Sequence, residues 1–191
     1  MKKLHNFDEV FDGQKVFRKI LEAVSNPGRK VSISEQAEKL YGDNRVFLAI
    51  AMTLLDNEVS FFVCDNQELA ESISLLTLSK EASLENADFV FVENADNLDE
   101  VFEKAKCGTL EEPQKSATIV IKADNKCNTA FEIYGAGVDG TLKLEVPDVV
   151  EKALELRNRQ NYEYPQGVDI IFVTSGGEMY SIPRLVMRRG A

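Results

Sequence analysis

Six consecutive residues, Val168-Asp169-Ile170-Ile171-Phe172-Val173, limit what this chain can fold into more than any other stretch. Five of the six are apolar and two are isoleucine. A run that dense in β-branched residues predicts a strand buried on both faces, as at the centre of an α/β sheet. It is entered through Tyr164-Pro165-Gln166-Gly167 and left through Ser175-Gly176-Gly177, where glycine accepts the positive φ of a tight reversal. The return run, Met179 to Ile182, stops at Pro183, which has no amide hydrogen to give a ladder. Asp169 and Arg184 are charges set beside these apolar runs. A carboxylate in that setting is costly unless paired or hydrogen-bonded, so a contact between Asp169 and Arg184 across the hairpin is expected.

At 191 residues the chain is expected to form one domain over 1–191. A formal net charge of −10 argues against a general nucleic-acid binder, which needs a basic footprint. The longest apolar stretches are about half of what a bilayer span requires, and no signal-peptide core begins the sequence. The expectation is therefore a cytoplasmic protein without a membrane partner. Cys64, Cys107 and Cys127 are odd in number and widely spaced, which suits reduced, buried thiols better than a disulfide framework.

In chain order, Asp8 or Asp12 can cap a first helix whose apolar face is Val10, Phe11, Phe17, Ile20, Leu21 and Val24. Asn26-Pro27-Gly28 stops it, and Lys30 to Ile33 reads as a short strand. A second helix, Val46 to Leu55, is apolar nearly all round and needs cover from other layers or from a partner. Val59 to Cys64 and Asp88 to Val92 read as strands, with a helix from Asn66 to Leu76 between them. Leu98 to Ala105 gives another helix, with Gly108 as its C-cap. Ala117 to Lys122, Thr129 to Tyr134 and Thr141 to Val146 read as an antiparallel meander. Pro147 opens a helix over Asp148 to Asn161, and Val186 is taken as the tail of a last strand. A mixed sheet with helices on both faces fits this order.

The chemistry-bearing residues are sparse. The single histidine, His5, stands near the N-terminus, so Ser-His and Cys-His mechanisms have no support. No clustered His/Cys set marks a zinc site. Gly135-Ala136-Gly137 leads into another strand instead of a helix, which makes it a turn and not a dinucleotide loop. Lys115, Lys122 and Lys143 alternate with apolar neighbours as solvent-facing residues do, unlike a Schiff-base lysine in an apolar pocket. Two basic groups remain: Arg18, Lys19, Arg29 and Lys30, and Arg184, Arg188 and Arg189. Solvated surface is their ordinary reading; contact with an anion or an acidic partner is the functional one.

Four segments together carry a resemblance. They are Gln14-Lys15-Val16-Phe17-Arg18 through Ser25-Asn26-Pro27-Gly28; Gly108-Thr109 through Pro113 to Ser116-Ala117-Thr118; Gly135-Ala136-Gly137-Val138; and Tyr164-Pro165-Gln166-Gly167-Val168-Asp169-Ile170-Ile171 to Ile182-Pro183-Arg184. In order and spacing they resemble the H subunit of the bacterial carbon–phosphorus lyase system, the PhnH family. The chain departs from that pattern at Ala136, where the family usually has proline, and at Gln114, where glutamate is typical. Leu185 and Val186 also stand where threonines are frequent, which removes a polar role there.

The resemblance implies a three-layer α/β/α fold with a mixed sheet, similar to the pyridoxal-phosphate (PLP)-dependent transferases but without the cofactor. It implies a homodimer or contact with other core subunits (G, I and J) of a complex that breaks down organophosphonates. In that pathway the G, H, I and L subunits replace the adenine of ATP with a phosphonate, giving ribose 1-phosphonate 5-triphosphate. The resemblance supplies no catalytic, cofactor-binding or metal-binding residue, in agreement with the survey above. Arg18, Asp169 and Arg184 stand as structural, anion-contact or partner-contact candidates. Two rival readings are a free-standing PLP enzyme and a small anion- or nucleotide-binding module built on the Arg18 and Arg184 clusters.

Overall fold

The computed structural model describes residues 5–124, 126–160 and 163–189, and in it the dense apolar run becomes strand β8 (Asp169–Val173) of a seven-stranded sheet. The others are β1 (Val31–Ser32), β2 (Ser60–Val63), β3 (Lys80–Glu81), β4 (Phe89–Val92), β5 (Thr118–Lys122) and β9 (Glu178–Ile182), in the order β1-β9-β8-β5-β4-β2-β3. Strands β8, β5, β4, β2 and β3 are parallel, whereas β9 runs antiparallel to both of its neighbours. The reversal from β8 to β9 needs Gly177, at φ +88°, because a Cβ there would lie 2.7 Å from the backbone of Ser34.

Period-two alternation deals the strand residues to two cores. Phe61, Phe91, Val120, Ile171 and Val173 face one layer, with helices α1 (Phe11–Ser25), α2 (Ser34–Ala37), α3 (Arg45–Leu54) and α4 (Gln67–Thr77). Val90, Val92, Ile119, Ile121, Ile170 and Phe172 face the other, with α5 (Leu98–Lys104) and α6 (Asp148–Arg159). That second layer also holds a three-stranded antiparallel sheet of β6 (Cys127–Gly135), β7 (Leu142–Pro147) and β10 (Val186–Arg188), in the order β10-β6-β7. Asn66 caps α4, its Oδ1 accepting from the Leu69 amide, and just ahead of α1 Asp8 Oδ1 accepts from the amides of Val10 and Phe11. Among the described residues no helix is long and apolar enough to cross a membrane.

Several expectations are corrected. Helix α1 buries Asp12, Val16, Ile20 and Ala23; of the face predicted to be apolar and inward, only Ile20 goes in. Val10, Phe11, Phe17, Leu21 and Val24 stay exposed, because the sheet and α3 meet the side of α1 that carries the smaller residues. The meander does not form. Strand β5 is buried on both faces between β4 and β8, and only β6 and β7 make the antiparallel hairpin. Val186 is no tail: after Pro183 the chain leaves one sheet and enters the other as β10. Helix α5 ends at Ala105 in extended conformation, and Gly108 instead lets the following loop fold on itself. Cys64 is buried but Cys127 is exposed. The predicted helix end at Asn161 lies outside the described residues.

Candidate functional site

Three places were open to carry function: the Asp169–Arg184 region, the carboxyl edge of the parallel strands, and the outer face of α1.

Asp169 starts β8 and Arg184 follows the end of β9, and the pairing of Ile170 with Ile182 brings them face to face. The Arg184 amide donates to Asp169 Oδ1 at 2.8 Å, and its guanidinium donates from Nε and Nη2 to the same carboxylate at 2.5–3.3 Å. Nη1 donates to the Pro113 carbonyl, so the fork also holds the 106–116 loop. Gln166 Nε2 donates to the Gly108 carbonyl and the Gly167 amide to that of Cys107, both at 2.9 Å. Gly108 is at φ +74°, and a Cβ there would meet the Pro113 carbonyl at 2.8 Å. The task of this region is therefore mechanical: it straps one loop across the start of a central strand.

Beside the strap lies a cleft of about 490 Å³ lined by Phe102, Ala105, Cys107, Leu156, Gln160 and Gln166, with Asp99, Glu103 and Arg159 at its rim. Burial pushes the Cys107 thiol up, with Arg184 pulling only partly the other way, so it is protonated at neutral pH and a poor nucleophile. Sequence reasoning missed Arg157. This side chain is buried in α6 and donates to the carbonyls of Ile182, Pro183 and Val186 at 2.5–3.1 Å, where the chain passes between sheets. A crossing strand leaves carbonyls without ladder partners, and Arg157 supplies them. The readable signal was a charge in the apolar stripe Val149, Ala153, Arg157 of the helix.

In open α/β sheets, ligands bind beyond the carboxyl ends of the parallel strands. Here that edge is filled by its own side chains. Lys122 lies between Glu93 (3.7 Å) and Asp124 (3.8 Å), Asn66 donates to Glu93, Ser175 donates to Asp124 from both amide and hydroxyl at 2.5 Å, and Asn97 donates to Asp65 at 2.9 Å. Lys115 is paired with Glu112 at 2.8 Å and Lys143 is exposed, so none of the three lysines considered for a Schiff base sits in an apolar pocket. Among the described residues no group of three or more His, Cys, Asp or Glu could hold a metal ion.

The basic clusters do not act together. Arg184, Arg188 and Arg189 each reach a different carboxylate: Asp169, Glu151 (with Glu155) and Glu132. Lys19 and Arg29 share Glu22 at 3.1 Å. What stays open is the outer face of α1. Val10, Phe17, Leu21 and Val24 are 73, 49, 54 and 37% exposed and, with Gln14, follow one another at alternating spacings of three and four residues. That is the repeat of a coiled-coil seam. Phe11 and Arg18 flank it, both exposed.

The model of the family described as bacterial phosphonate metabolism protein (PhnH) matches residues 5–187. A relative from Stutzerimonas stutzeri, named "Putative C-P lyase subunit protein HtxG", is 29% identical over 173 residues, which is 90% of this chain and 83% of the relative. The match runs through α1, the 106–116 loop, the Gly135–Gly137 turn and the β8–β9 hairpin alike, and the chain belongs to the PhnH family of bacterial phosphonate metabolism proteins.

Proposed function

We propose that this chain is an accessory subunit of the carbon–phosphorus lyase system, needed for making ribose 1-phosphonate 5-triphosphate from ATP and a phosphonate but supplying no catalytic group itself. Residues 1–191 act as one domain, with a fold similar to the PLP-dependent transferases and no use for that cofactor. Its work is contact with the other core subunits (G, I and J) or with a second copy. The observation that carries this reading is the α1 seam, since large apolar side chains aligned on one exposed helix face mark an interaction site. Family membership and the name of the S. stutzeri relative support the pathway. The self-satisfied carboxyl edge favours it over a free-standing PLP enzyme, and the dispersed arginines favour it over an anion-binding module.

The test is reconstitution. The full chain is co-expressed with the G, I, J and L subunits and the purified assembly is given ATP and methylphosphonate. The chain is expected to co-purify, and its omission to abolish the triphosphate product. A chain that purifies alone, and whose omission leaves product formation unchanged, overturns the reading.

A further inference from the structure

The α1 seam has a charge beside it that selects its occupant. Of the cations on this helix, Lys15 faces Glu35 at 3.8 Å and Lys19 faces Glu22 at 3.1 Å, whereas no carboxylate among the described residues lies within salt-bridge distance of Arg18. Arg18 is exposed and stands one residue from Phe17, the midpoint of the stripe Val10, Gln14, Phe17, Leu21, Val24. The stripe has a seven-residue repeat, which matches the surface of another α-helix better than that of a strand or loop.

Two kinds of helix could lie there, and Arg18 separates them. A second copy packed seam to seam about a two-fold axis would set two Arg18 side chains against each other near that axis. Facing like charges disfavour such a pairing, and the net charge of −10 on each copy adds to the repulsion. A helix of a different protein escapes this if it carries a carboxylate opposite Arg18, which then gives the guanidinium a partner at the rim of an apolar contact.

We infer that the outer face of α1 receives an amphipathic helix from a different chain, with apolar residues at three- and four-residue spacing and an acidic residue meeting Arg18. This names the partner chemistry of the contact surface proposed above and rests on that reading. A homodimer, if formed, uses another face.

Two synthetic helical peptides test it, each about three heptads long with leucine at the seam positions. One carries glutamate at the flanking positions and the other lysine. The full-length chain is expected to bind the glutamate peptide about tenfold more tightly than the lysine peptide, Arg18→Glu to reverse that order, and Leu21→Asp to abolish both. Leu21 is exposed, so that variant should keep the wild-type circular dichroism spectrum and Tm. Failure of the glutamate peptide to bind, or equal binding of both peptides, overturns the inference. So does a wild-type dimer in analytical ultracentrifugation that Leu21→Asp converts to monomer, because a second copy then occupies the seam. The peptide preference is independent of which protein supplies the helix, so it can hold when reconstitution fails, and the two failures remain distinguishable.

Discussion

Helices α1 and α3 lie in the same layer against the same sheet, and they use apolar residues in opposite ways. Six consecutive residues of α3, Val46 to Ala51, are buried, covered by α1, α2, α4 and the sheet. Helix α1 is far less apolar overall, yet it leaves four large apolar side chains outside, and its N-cap residue Val10 adds a fifth. The helix whose sequence asks most loudly for a partner finds most of its cover within the chain, with only Met52 and Leu54 among its apolar residues left partly buried. The helix that reads as an ordinary amphipathic one keeps a face uncovered. An interface is thus marked by where apolar side chains are left, not by how many a helix has.

The contrast can be broken from its inner end first. Ile50→Ala in α3 removes a fully buried side chain and is expected to lower unfolding free energy by about 2–5 kcal/mol, read by urea denaturation. A loss under about 1 kcal/mol would mean that α3 is not the closed core it is described as.

Asp12, on the covered side of α1, should give an intermediate effect. Its burial works to raise the carboxyl pKa, but the Lys39 ammonium at 2.7 Å and the Asp8 amide at 2.9 Å outweigh that and hold it below the usual 3.8. The folded state therefore binds this proton less readily than the unfolded one, so the contribution is present above the unfolded value and lost as pH falls through the lowered folded value. Asp12→Asn is expected to cost about 1–2 kcal/mol at neutral pH and to flatten the acid limb of a Tm-against-pH curve. An unchanged limb would assign the acid sensitivity elsewhere, for example to Asp88, which Lys106 and Ser60 hold low against the effect of its burial.

The smallest stability effect belongs to the outer face. Leu21→Ser should change unfolding free energy by no more than about 0.5 kcal/mol. A loss as large as that for Ile50→Ala would show that the exposed seam is covered in the isolated protein after all.

Much of this layout was legible in the sequence. Val168 to Val173 reads as a central strand because five of its six residues are apolar, and Asp169 and Arg184 meet because the Gly177 turn fixes the register that opposes them. Helix α1 misleads for a physical reason: Val16, Ile20 and Ala23 form one apolar stripe and Val10, Phe17, Leu21 and Val24 another, and periodicity does not say which faces in. The larger stripe looks like the core and is not. Strand β5 misleads differently, since its nearness in sequence to β6 suggests a hairpin, while its pairing is decided by β4 and β8, tens of residues away. Arg157 shows in the sequence only as a charge within the apolar stripe of α6; what it holds does not show, because its partners are carbonyls, which every residue has.

The passage from β9 to β10 has a consequence for how the chain comes off the ribosome. Strand β9 pairs with β1 near the N-terminus, and β10 completes the sheet begun by β6 and β7. Both sheets therefore wait for residues 178–188 to be synthesised. Until then β1 has no ladder, the β6–β7 hairpin has no third strand, and Arg157 has none of the three carbonyls it will hold. Pairings of such long sequence separation are slow to close and leave unpaired edges exposed meanwhile. A nascent chain halted before Glu178 is for this reason expected to need chaperones, and residues 178–188 are the fastener that ends that state.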